Sequence, residues 1–130
     1  MKPARKARGK IIVDLPALIR EAKLSEDREA YRTLEACSSY RLGVVARIGS
    51  DGQEAVLLEL LLLPGGREVD IESMEKKIAA IRRLQESGYD ISNEEDGSIS
   101  CEMAVTASDL GETYGKVSDI LAKLYDEGCR

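Results

Sequence analysis

Tyr40-Arg41-Leu42-Gly43-Val44-Val45-Ala46-Arg47-Ile48 is followed by Gly49-Ser50-Asp51-Gly52-Gln53, and then by Glu54-Ala55-Val56-Leu57-Leu58-Glu59-Leu60-Leu61-Leu62-Leu63. In the first run Tyr40, Leu42, Val44, Ala46 and Ile48 alternate with Arg41, Gly43, Val45 and Arg47. A period of two with one apolar side is the mark of a strand packed on one face. Gly49 to Gln53 reads as a turn, and the leucine-rich run after it as the returning strand. Pairing Ile48 with Glu54 brings Ala46 to Val56, Val44 to Leu58, Leu42 to Leu60 and Tyr40 to Leu62. Four of those five pairs are apolar on both sides, so the register is self-consistent.

The other side of the same hairpin carries Val45, Leu57, Leu61 and Leu63 beside Arg41, Arg47 and Glu59. Burying one large aliphatic side chain is worth about 1.5–3 kcal/mol. Four of them form a patch that soluble monomers usually cover or use. Two covers are expected: the chain's own N-terminal helical segment, or a second copy or other partner. These seven residues are therefore the candidate interaction surface, with Glu59 between Arg41 and Arg47 as a cross-strand charge cluster.

Upstream, Asp14 is placed to cap a short helix with Pro16 in its first turn and Leu15, Leu18 and Ile19 on its apolar side. Ser25, followed by Glu26 and Asp27, reads as a second cap, of a helix whose stripe is Ala30, Tyr31, Leu34 and Cys37. Downstream, Asp70 opens a helix closed at Gly88, with Ile71, Met74, Ile78, Ile81 and Leu84 at steps of three and four. A second hairpin follows: Tyr89 and Ile91, a turn at 93–97, then Ile99, Cys101, Met103 and Val105. Its other side, Asp90, Ser92, Ser98, Ser100 and Glu102, suits water. Thr106 to Asp109 has the form of a helix-start box before Leu110, Tyr114, Val117, Leu121 and Leu124. The predicted fold class is α+β: a two-layer sandwich, with a four-stranded antiparallel sheet, helices on one face and the order α-ββα-ββα. That order is similar to the order in small acidic secretion chaperones, a resemblance of arrangement without a motif.

Residues 1–10 carry Lys2, Arg5, Lys6, Arg8 and Lys10 and no acid, a charge of +5; the remaining 14 basic and 24 acidic residues sum to −10. The expected organisation is a flexible basic arm at 1–10 and a single α+β domain over 11–130. An acidic body does not grip nucleic acid with its folded surface. The arm alone is the alternative route to nucleic acid, through counterion release, although it lacks an aromatic residue to stack bases.

The chain has no histidine, which excludes Ser-His and Cys-His nucleophiles and removes the commonest zinc ligand. The three cysteines show no CxxC spacing; Cys37 and Cys101 read as core hydrophobes and Cys129 as an inert terminal thiol. With Gly97 at position 6 of a calcium loop, position 12 is Met103, so the closing carboxylate is missing. Pro64-Gly65-Gly66-Arg67 lacks the Walker and dinucleotide patterns and reads as a plain loop. Gly111 and Gly115 are spaced for close packing of the last helix on a neighbour. No metal, cofactor or catalytic residue is assigned. Two facing carboxylates in one pocket are what an enzyme reading would require. The expected function is that of a cytoplasmic protein-interaction domain, adaptor- or chaperone-like and self-associating as a homodimer, with no membrane segment.

Overall fold

A computed structural model describes residues 13–64 and 71–125. In chain order the elements are α1 (Leu15–Leu24), β1 (Glu29–Ala36), β2 (Tyr40–Ile48), β3 (Glu54–Leu62), α2 (Ile71–Glu86), β4 (Asp90–Asn93), β5 (Ile99–Ala104) and α3 (Leu110–Tyr125). The five strands form one antiparallel sheet in the order β1-β2-β3-β5-β4. The chain is α+β, with one strand more than the sequence pattern predicts.

The β2–β3 register is the one the turn spacing dictates, from Ile48 opposite Glu54 to Tyr40 opposite Leu62. In the turn the Gly49 amide donates to the Gln53 carbonyl at 2.8 Å, and Gly52 adopts φ +85°, where a Cβ would be strained. The five inward residues of β2 join Leu58, Leu60, Leu62 and Cys101 in a single core with Leu15, Leu18 and Ala22 of α1, Ala80 and Leu84 of α2, and the inward face of α3. All three helices therefore cover the same side of the sheet. Local capping follows the sequence: Asp14 Oδ1 accepts from the Ala17 amide at 3.0 Å, and Asp109 Oδ1 accepts from the Thr106 amide at 2.7 Å.

Three expectations change. First, residues 29–36 are an edge strand, not a helix. Ser25 closes α1 instead of opening a helix, and Ser25 and Asp27 bond to each other within the turn that leads into β1. The 30-34-37 spacing that mimics a helix arises from a bulge between Thr33 and Glu35. Arg32 also stands on the helix side of the sheet, where it pairs with Glu21 of α1.

Second, only the C-terminal half of the α2 stripe reaches the core. Ala80 and Leu84 are buried, whereas Ile71 is 76% exposed and Met74 and Ile78 also face outward. Third, Cys101 is a buried free thiol as expected, and Cys37 packs against the core as expected but is disulfide-bonded. Among the described residues nothing outside their own helix lies within 4 Å of a Cβ placed on Gly111 or Gly115. The arm at 1–10, the loop at 65–67, Asp70 and Cys129 lie outside the described residues.

Candidate functional site

The side of the sheet away from the helices carries no helix among the described residues. Its left half, over β1 and β2, is closed by one aromatic side chain. Tyr31 stands opposite Val45 in the register, and its ring crosses Gly43. A Cβ on Gly43 would lie 2.4 Å from Tyr31 Cζ, so glycine is what lets the ring lie flat. The Arg41 guanidinium sits over that ring at 5.8 Å from its centroid. Val45 is only 3% exposed beneath this cover, yet it lies outside the main core. The Tyr31 hydroxyl is buried with no hydrogen-bond partner among the described residues, and burial together with the Glu59 charge pushes its ionisation up.

The centre of the face is a charge network around Arg47. Its Nε donates to Glu29 Oε2 at 2.8 Å on β1. Nη1 and Nη2 reach diagonally over β3 to the two oxygens of Glu102 on β5, at 3.1 and 2.5 Å. Glu59 Oε2 is 3.7 Å from Nη2. One guanidinium thus faces three carboxylates, and the β3–β5 register sets Glu59 directly against Glu102. The bidentate hydrogen bonds from Arg47 hold the Glu102 carboxyl below its usual range. Glu59 is pushed up to about 7, mainly by burial and then by its hydrogen bond to Glu102 and that group's charge. Burial and the facing Glu102 carboxylate thus both favour the protonated form of Glu59.

The right half of the face is a hollow of about 750 Å³, lined by Glu59, Leu61 and Glu102 and by the β4–β5 hairpin from Ser92 to Ser100. Five carboxylates border it, of Glu59, Glu94, Glu95, Asp96 and Glu102, against the single cation of Arg47. Ser98 and Ser100, expected in water, are 2% and 5% exposed. Ser98 Oγ is satisfied by Asp96 Oδ1 at 2.5 Å, so the hairpin tip is braced from within.

Glu59 and Glu102 are the facing carboxylates that acid–base chemistry would need, one raised and one lowered. Both Glu102 oxygens, however, accept hydrogen bonds from Arg47. No group of three metal-ligating side chains occurs among the described residues, and no helix among them is long and apolar enough to cross a membrane.

Of the predicted surface, Arg47, Glu59 and Leu61 line the hollow. Leu57 and Leu61 are half-buried on the same face. Leu63 lies just past β3, where its carbonyl accepts from Lys77 Nζ of α2 at 3.0 Å. Arg41 joins Tyr31 and is not part of the Arg47 network. Lys2, Arg5, Lys6, Arg8 and Lys10 lie outside the described residues. Sequence reasoning missed Glu29, Tyr31 and Glu102 as members of the site. The signal for the first two was the alternation of Glu29, Tyr31 and Thr33 on one side of a strand. The expected N-terminal cover is corrected: α1 lies on the opposite side, and β1 contributes one tyrosine. Compared with known proteins, the chain matches no family model, no curated protein and no solved structure.

Proposed function

We propose that this chain is a protein-interaction module that docks a basic, partly apolar segment on the open face of its sheet, and that a second copy supplies that segment. The observation that carries this reading is the five-carboxylate hollow beside half-buried Leu57 and Leu61, on a face that no helix among the described residues covers. Residues 5–12, Arg-Lys-Ala-Arg-Gly-Lys-Ile-Ile, have the complementary chemistry: four cations followed by two aliphatic residues. Charge complementarity of this kind speeds encounter and selects the partner, while the leucines provide area that charge alone does not.

Sedimentation velocity at micromolar concentration tests it. The full chain is expected to self-associate at low salt and to dissociate as salt screens the contact. A chain lacking residues 1–10, and a Glu94→Lys/Glu95→Lys chain, are each expected to stay monomeric. A full chain that is monomeric at low salt, or a dimer indifferent to both changes, would overturn the reading. Retention of a nucleic acid by the full chain alone would move the function to the basic arm.

A further inference from the structure

Building on the proposed docking of a basic segment at the open face, on which it rests, we infer a further coupling: a cation of that segment seats at Glu59 and drives off its proton, so the contact tightens from pH 6 to pH 8. Leu57, Glu59 and Leu61 alternate with the inward residues of β3 and so share its outward side. A lysine or arginine has the matching plan, an apolar stem to lie along leucine and a charged head to meet a carboxylate. Glu59 is also the carboxylate of the Arg47 network with the weakest hold on a cation. Glu102 receives both terminal nitrogens of Arg47 and Glu29 receives Nε at 2.8 Å, whereas Nη2 stays 3.7 Å from Glu59. Across the hollow, Glu94 Oε2 already accepts from Ser92 Oγ at 3.2 Å, and Asp96 Oδ1 from the Ser98 amide at 2.9 Å.

The charges that face Glu59 come from every neighbouring strand. Arg47 of β2 stands against Glu29 of β1 and Glu102 of β5, and Asp90 of β4 lies opposite Glu102 in the register. Glu94, Glu95 and Asp96 border the same hollow. Arg41 is turned to the Tyr31 ring, and burial keeps the Tyr31 hydroxyl protonated. The surroundings of this half-buried carboxyl are therefore net negative. An empty face favours its acid form, and a seated cation favours the carboxylate. As the cation arrives, the carboxyl O–H bond breaks, the proton passes to water, and the ammonium or guanidinium pairs with the charge left behind. The chain contains no histidine, so no side chain of ordinary pKa competes to set a dependence near neutrality. An α-amino group losing its charge over the same range would weaken docking as pH rises, the opposite sign.

Sedimentation velocity of the full chain in low salt, at pH 6 and at pH 8, tests the coupling. A carboxyl that titrates at about 7 is roughly one-tenth ionised at the first pH and nine-tenths at the second, so the dissociation constant is expected to fall about tenfold for each seated segment. Glu59→Gln, fixed in the neutral form, is expected to associate at both pH values as weakly as the natural chain does at pH 6. Carbon-13 shifts of the Glu59 carboxyl supply a direct readout: its titration midpoint is expected to move to lower pH from dilute monomer to dimer. A dimer of equal strength at the two pH values, one that weakens toward pH 8, or a Glu59→Gln chain that keeps the dependence would each overturn the coupling and leave the docking reading standing. A chain that stays monomeric at both pH values would overturn the docking itself, and the coupling with it.

Discussion

Gly43 shows how a single position on β2 shapes the face. Its missing side chain makes room for the Tyr31 ring, and the Arg32 carbonyl would also meet a Cβ, at 2.5 Å. Gly43→Ala is expected to destabilise by about 1–3 kcal/mol in urea unfolding, the usual range for overpacking. Adding Tyr31→Ala should relieve only the ring's share, since the backbone contact remains. Glu59 sets a pH dependence whose sign is fixed. Its folded pKa, about 7, lies above that of an unfolded glutamate. The native state therefore holds this proton more tightly, and its stabilising effect is full below about 4.3 and lost as pH rises through about 7. Arg47, Glu29, Glu102 and the Tyr31 hydroxyl face this group, and Glu102, shifted down, acts in the opposite direction only at lower pH. Glu59→Gln, which imitates the protonated acid, is expected to be more stable than the natural chain at pH 8.5 and close to it at pH 4.5. Denaturant midpoints at the two pH values check both halves.

Among the elements, the β2–β3 hairpin was legible in full because strict alternation and a turn of fixed length leave one register in which apolar meets apolar. Both helix caps at Asp14 and Thr106 were legible for a similar reason, since each is a local bond between near neighbours. β1 was not. Its bulge and the inward Arg32 break the period of two, and the pairing that makes it a strand lies with β2, not within its own sequence. Losing β1 meant losing Glu29 and Tyr31, so only part of the site was readable. Glu102 was read as a solvated residue because its partner, Arg47, is 55 residues away. Glu35 illustrates the same limit: one carboxylate on the edge strand receives three hydroxyls, from Tyr40 at 3.2 Å and from Tyr114 and Ser118. Glu35→Ala is expected to cost about 1–3 kcal/mol by removing the acceptor that these three hydroxyls share. Amide exchange should quicken in α3 and β1 ahead of β3 and β5, which would show that the loss is local to this corner.

For the molecule as a whole, the account rests on a division of labour between the two sides of one sheet. The helix side holds the single core, while the other side combines a tyrosine cover, a charge network and an acidic hollow. Leu61 sits at the boundary of that hollow and half in solvent, so Leu61→Glu is expected to shift the denaturant midpoint little yet weaken self-association at least tenfold in sedimentation. The most direct measurement is a titration of a synthetic peptide of residues 1–12 into isotope-labelled chain lacking residues 1–10, followed by backbone amide shifts. Saturable shifts confined to Leu57–Leu61 and Ser92–Glu102, fading with added salt, are the expected result. Shifts on the helix side, or none at low salt, would contradict the claim that the open face is where this protein meets its partner.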